Sequence, residues 1–93
     1  MIEFKNEYKK FIRDNNIGAN DKVADSIKSY LSYLNSVSKY LNIKVGPNIL
    51  RTEEDIKVLS DKLKEKNIVS PKTIANYKSA MKQYIYMVEE LKL

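Results

Sequence analysis

The sequence of 93 residues contains no cysteine and no histidine, and only two glycines and two prolines. Without cysteine, disulfides and thiolate metal sites are excluded. Without histidine, the chain lacks the commonest general base, the commonest transition-metal ligand and the usual partner of a nucleophilic serine. Two glycines do not make a phosphate-binding loop of the P-loop or dinucleotide type. We therefore expect a binding protein that is not an enzyme and needs no cofactor.

A long apolar run is also missing. No segment approaches the ~18 consecutive apolar residues that a membrane-spanning helix requires. The N-terminal residues, with charges at Glu3 and Lys5, do not form the apolar region of a signal peptide. The sequence therefore predicts one soluble, cytoplasmic domain without a membrane partner, long enough to bury one modest core.

Positive charge is in excess and unevenly distributed. The net charge is +5, and no acidic residue occurs between Asp25 and Glu53 or between Glu65 and Glu89. Each of these two intervals contains four basic residues. A basic surface favours acidic partners such as nucleic acid.

Apolar residues recur at helical spacing in four segments, residues 2–15, 21–42, 52–66 and 70–93. The connections are short, and Gly46 with Pro47 separates the second segment from the third. Four amphipathic helices with short connections predict an all-α fold, a compact four-helix bundle. The apolar stripe of the first helix begins at Phe4, and that of the last comprises Ile74, Tyr77, Met81, Tyr84, Val88 and Leu91.

Three predicted helices begin with residues typical of helix starts. Asn20 or Asp21 can cap the second, and Ser70 before a proline can cap the fourth. Thr52 opens a capping-box pattern whose acids, at 53–55, suit the positive end of the helix dipole. A metal site at these acids, which would suit a nuclease, is the least favoured alternative, because consecutive helical residues point in different directions.

The outward faces of the second and fourth helices collect hydroxyl, amide and lysine side chains. Such groups contact phosphates and base edges in nucleic-acid complexes, and tyrosines on a polar face can stack on bases. The same residues also fit an ordinary solvated face, or a protein interface. They are Ser29, Ser32, Tyr33, Ser36, Lys39 and Tyr40 on the second helix, and Lys72, Ser79, Lys82, Gln83 and Tyr86 on the fourth, with Asn76 at its edge.

The segment from Ser70 to Tyr84 resembles the last helix of the core-binding, SAM-like N-terminal domain of phage integrases and other tyrosine recombinases. Thr73, Ile74 and Tyr77, followed by Ala80-Met81 and Tyr84, match the pattern of that family in order. The match is strong only in this last helix, and the rest of the chain agrees in helix order and length.

The resemblance implies a SAM-like domain that grips double-stranded DNA with its second and fourth helices. It also implies a longer recombinase or restriction-type protein of a mobile element, with a C-terminal catalytic domain whose Arg, His and Tyr constellation is absent from this sequence. The chain alone is not expected to cut or join DNA. The residues nominated for DNA binding are Tyr33, Ser36, Lys39, Tyr40, Lys72, Lys78, Ser79, Lys82 and Tyr86.

The alternative function is a protein-interaction or oligomerisation module. In that case Tyr33, Tyr40 and Tyr86 would be the anchors, since aromatic residues dominate the energetics of protein interfaces. Reversing the charge of Lys78 and Lys82 discriminates the two functions, because it abolishes DNA binding and leaves an apolar interface largely intact. The sequence does not specify an oligomeric state.

Overall fold

A computed structural model describes residues 2–15 and 23–93. In this part of the chain there are four α-helices and no β-strand beyond a single isolated bridge: α1 (Lys5–Asp14), α2 (Val23–Leu41), α3 (Glu53–Lys66) and α4 (Pro71–Leu91). The radius of gyration of 12.4 Å agrees with the ~12 Å expected for a compact domain of this length. The predicted all-α four-helix bundle is therefore confirmed. No helix in the described residues is long and apolar enough to cross a lipid bilayer.

Helix α4 packs against all three other helices, as α2 does, and contributes eight buried residues to the core. Its predicted apolar stripe is buried from Ile74 to Val88, and Tyr84 and Met81 are fully inaccessible. Leu91 was expected to continue this stripe but is 46% exposed. It lies in the last turn of α4 and borders an open cleft between α1 and α4, where none of the four described helices covers it.

Helix α1 begins three residues later than predicted. Ile2 instead pairs with Val45 in an isolated parallel bridge, and the Glu3 N–H donates to the Val45 carbonyl at 2.7 Å. Phe4 then turns the chain into α1 with left-handed backbone angles, φ 56° and ψ 39°. This turn leaves Phe4 39% exposed, outside the apolar stripe that it was expected to begin.

The predicted starts of α3 and α4 are confirmed in atomic detail. The Asp55 N–H donates to Thr52 Oγ1, and the Thr52 N–H donates to the Asp55 carboxylate, which completes the capping box. Ser70 Oγ accepts from the Thr73 N–H at 3.2 Å, and Pro71 is the first helical residue. The proposed caps of α2, at positions 20 and 21, lie outside the described residues.

Three helices end with a non-glycine residue in the left-handed conformation. Asn42 follows α2, Asn67 follows α3 and Lys92 follows α4, with φ between 52° and 55°. Helices α2 and α4 are therefore slightly shorter than the predicted segments ending at 42 and 93. A left-handed residue brings the next N–H groups back to the last helical carbonyls, as the Leu93 N–H does to Val88 at 3.0 Å.

Candidate nucleic-acid interface

A polar stripe runs along the exposed side of α2 and borders a shallow depression of about 330 Å³. Its members follow the spacing i, i+4, i+7, i+8 and i+11, which places them on one face of a helix. The two lysines at its ends are separated by roughly 16 Å, from the rise of 1.5 Å per residue. This α2 face comprises Lys28, Ser32, Asn35, Ser36 and Lys39. It contains the predicted site residues Ser36 and Lys39, and no acidic residue.

A second cleft, of about 460 Å³, lies between the start of α3 and the middle of α4. Helix α4 contributes Lys78, Ser79 and Lys82, which are all predicted site residues and all exposed. Its remaining lining residues come from α3 and were not predicted. We call it the α3–α4 cleft, lined by Glu53, Ile56, Lys57, Lys78, Ser79 and Lys82.

The α3–α4 cleft contains one acidic group, although the sequence of α4 is free of acids until Glu89. The carboxylate of Glu53 lies 3.7 Å from the ammonium of Lys82, and these side chains are 73% and 49% exposed. A pair so exposed contributes only about 0–1 kcal/mol. The surface of α4 is therefore not free of acids at this edge, because the packing of α3 brings an acid from a distant part of the sequence.

The rest of the exposed side of α4 has no acid of its own before Glu89. Lys72 is exposed in the first turn, where the positive end of the helix dipole disfavours a cation. Helix stability therefore does not explain its position. The outer face of α4 comprises Lys72, Asn76, Lys78, Ser79, Lys82, Gln83 and Tyr86.

The tyrosines of the predicted site have unequal exposure. Tyr86 is 40% exposed, as the sequence predicted. Tyr33 and Tyr40 were expected on the outward face of α2, but both are half-buried and pack against the core. The ring of Tyr33 lies 5.8 Å from that of Tyr77 on α4 and 6.1 Å from that of Tyr30. Both residues lie at the edge of the helix face, from which a long side chain with an apolar ring reaches the core.

Several residues that line these surfaces were not predicted from the sequence. Lys28 and Asn35 share the helical phase of Ser32 and Lys39, so the spacing alone was sufficient to find them. Lys57 has no such signal, because its place in the interface depends on how α3 packs against α4.

The buried tyrosines have structural roles. Burial raises the pKa of Tyr8 and of Tyr84 well above the ordinary value for a phenol, so both are neutral hydrogen-bond donors. The Tyr8 hydroxyl donates to the Ala80 carbonyl at 2.9 Å, and that of Tyr84 donates to the Glu3 carbonyl at 2.8 Å. Neither hydroxyl is accessible as a nucleophile, because both side chains are fully buried.

Carboxylates do not gather into a metal site in the part of the chain that the structure describes. The acids at the start of α3 have other interactions: Asp55 accepts from the N–H groups of Arg51 and Thr52, and Glu53 pairs with Lys82. Comparisons of the chain with protein-family models, with curated proteins and with solved structures give no match.

Proposed function

We propose that this protein binds double-stranded DNA with the α2 face and the outer face of α4, and that it catalyses no reaction by itself. The observation that carries the proposal is the presence of an exposed, lysine-bearing face on each of two helices that pack against each other, α2 and α4, with no acid in the sequence interval of either face. Lysines that neutralise phosphates release counterions, and this release supplies much of the affinity of proteins for DNA.

The polar groups between the lysines suit contacts within a groove. Asparagine and glutamine donate and accept at the edge of adenine, and serine hydroxyls bind phosphates or bases. Asn35 on the α2 face and Asn76 on α4 are exposed, and Gln83 is half-buried. These groups add base contacts to an affinity that is otherwise electrostatic.

The resemblance of residues 70–84 to the core-binding helix of tyrosine recombinases supports the same function. On that basis the domain is a SAM-like, cytoplasmic DNA-binding module of a mobile-element protein, and a separate catalytic domain would perform strand cleavage. Because Tyr33 and Tyr40 are half-buried, we expect the DNA contacts to come mainly from the lysine, serine and amide groups.

A protein-interaction module remains the second candidate. It is favoured by five large apolar side chains that are 39% to 53% exposed: Phe4, Val58, Ile68, Tyr86 and Leu91. Of the three tyrosine anchors predicted for it, only Tyr86 is among them. Sedimentation equilibrium tests this candidate, since Tyr86→Ser would dissociate an oligomer that Tyr86 anchors.

The experiment that tests DNA binding compares two charge-reversed proteins by fluorescence anisotropy with a labelled duplex. Lys78→Glu with Lys82→Glu should raise the Kd more than about tenfold, equivalent to more than about 1.4 kcal/mol of binding free energy. The matched control is Lys5→Glu with Lys9→Glu on α1, an exposed pair with the same spacing and the same change of charge. We expect the control to raise the Kd less than about threefold, because distant surface charges are screened by salt.

Circular dichroism must show the same helix content in both proteins. Equal losses of affinity would mean that net charge alone governs binding and would contradict an interface on α4. Absence of binding by the unmodified protein would contradict the function itself.

A further inference from the structure

We propose that the α3–α4 cleft receives one phosphate group of the DNA backbone, and that Glu53 competes with this phosphate for Lys82. The inference rests on the DNA-binding function proposed above and extends it to α3. It assigns Lys57 as a phosphate-binding residue and Glu53 as a carboxylate that weakens DNA binding.

The shape and lining of the cleft suit a phosphate. Three lysines from two helices border it, Lys57 on one wall and Lys78 and Lys82 on the other. Its volume of about 460 Å³ is many times the ~30 Å³ that a water molecule occupies in the liquid. A phosphate group therefore fits together with several waters. The buried residue Ile56 also lines the cleft, and an apolar lining lowers the local dielectric, which strengthens ionic attraction.

Glu53 already occupies part of this site in the free protein. Its distance of 3.7 Å from Lys82 exceeds the ~2.7–2.9 Å of a strong charge-assisted hydrogen bond. Because its side chain is 73% exposed, the carboxylate can turn away into water when a phosphate enters. The three lysines outnumber this one acid, so the cleft keeps a net positive charge.

Lys57 extends the interface beyond α2 and α4. It is exposed, and it faces the lysines of α4 across the cleft. A phosphate bound there would touch both helices, so the packing of α3 on α4 would fix the position of the DNA backbone relative to the outer face of α4.

The test compares Glu53→Gln with Glu54→Gln in duplex binding by fluorescence anisotropy. Both remove one exposed carboxylate from the first turn of α3, but only Glu53 lines the cleft. Glu53→Gln should tighten binding about three- to tenfold, because the competing carboxylate is removed and the lysines remain. Glu54→Gln should change the Kd less than about twofold, since screening weakens more distant charges.

A second pair of variants tests Lys57. Lys57→Gln should weaken binding about three- to tenfold and make the log–log salt slope shallower by about 0.9, the value for one lost phosphate contact. Its matched control is Lys62→Gln, an exposed lysine of α3 outside the cleft, which should leave the slope unchanged.

The outcomes separate the two proposals. If the unmodified protein binds duplex DNA with a steep salt slope, but each variant behaves like its control, the phosphate site is wrong and the DNA-binding function stands. If the unmodified protein does not bind duplex DNA at low salt, both proposals are wrong.

Discussion

The hydroxyl of Tyr84, in the middle of α4, donates a hydrogen bond of 2.8 Å to the main-chain carbonyl of Glu3, 81 positions earlier in the chain. The Glu3 N–H donates in turn to the Val45 carbonyl. The N-terminal residues are therefore held both to α4 and to the connection between α2 and α3. The side chain of a buried tyrosine therefore holds the N-terminal residues against the bundle.

Tyr84→Phe should lower the free energy of unfolding by about 1–2 kcal/mol, because the Glu3 carbonyl loses its donor and the ring stays in place. Urea denaturation measures this change. The Kd for duplex DNA should remain within about twofold, since Tyr84 is fully buried. A loss of DNA binding in a protein that remains folded would mean that Tyr84 has a role beyond packing.

Alkaline pH should destabilise the fold through the buried tyrosines. Burial raises the pKa of Tyr8, and the neighbouring Tyr30 and Tyr84 raise it further. Burial also raises the pKa of Tyr84, with added effects of Glu3 and Glu7. The unfolded chain ionises near pH 10 while the folded chain keeps its protons, so this contribution to stability is complete below pH ~10 and is lost above it.

Each of the two tyrosines should lower the free energy of unfolding by about 1.4 kcal/mol per pH unit above pH ~10. Urea denaturation between pH 8 and 11 gives this slope. The double variant Tyr8→Phe with Tyr84→Phe, compared with the unmodified protein, should have a markedly shallower slope. Identical slopes would show that other groups control alkaline unfolding.

Gly46 and Glu3 should be energetically coupled. A Cβ added at Gly46 would lie 2.8 Å from Cδ of Glu3 and overlap its carboxylate, which also pairs with Lys44 at 3.5 Å. Gly46→Ala must therefore displace the Glu3 side chain. In a Glu3→Ala background the obstacle is gone, and Gly46→Ala should stabilise the protein by about 0.4–1 kcal/mol, because alanine restricts the unfolded chain.

A double-mutant cycle measured by urea denaturation gives the coupling between these positions. We expect about 0.5–2 kcal/mol, the range for residues in direct contact. Additive effects of the two substitutions would contradict the close approach of Glu3 to Gly46.

The left-handed residue that ends α4 offers a stabilising substitution. Lys92 has φ 55° and is exposed, and glycine adopts this conformation without steric cost. Lys92→Gly should raise the free energy of unfolding by about 0.5–1 kcal/mol. Asn67→Gly, at the end of α3, should gain less, because asparagine tolerates left-handed angles better than lysine does. A destabilised Lys92→Gly protein would mean that the lysine side chain has a stabilising contact at this helix end.

Features fixed by neighbouring residues could be predicted from the sequence, and features fixed by packing could not. The caps at Thr52 and Ser70 depend on residues three positions apart, so they can be recognised in the sequence. The bridge between Ile2 and Val45 joins segments that are distant in the sequence, and it shortens α1. The helical spacing of apolar residues gives no sign of such a bridge. The apolar stripe of α4 was predicted nearly to its end because the spacing defines it directly.

In the candidate site, too, the features set by neighbouring residues were predicted and those set by packing were not. The lysines of α4 were predicted from the phase of one helix. Their neighbours Glu53 and Lys57 were not, because they reach the cleft only after α3 packs on α4. Tyr33 was placed outward by phase, yet its ring turns toward Tyr77 across the α2–α4 contact. At the edge of a helix face, helical phase alone does not determine whether a side chain packs against the core or extends into solvent.

Helix α4 has a buried side and an exposed side of different composition. Its inner side forms part of the core, and its outer face has the lysines and polar groups proposed to meet DNA. Substitutions on the inner side should therefore mainly lower the free energy of unfolding. Substitutions on the outer face should change the Kd for DNA and leave the free energy of unfolding nearly constant. This separation allows binding variants to be interpreted without correction for unfolding.

The salt dependence of duplex binding tests the proposed interface most directly. A labelled random-sequence duplex is titrated with the protein at ~50 to ~200 mM salt, and the Kd is obtained from fluorescence anisotropy. Several lysine–phosphate contacts predict a linear plot of log Kd against log salt concentration with a slope of several units. No binding at ~50 mM salt, or a Kd that does not change with salt, would contradict DNA binding through these faces.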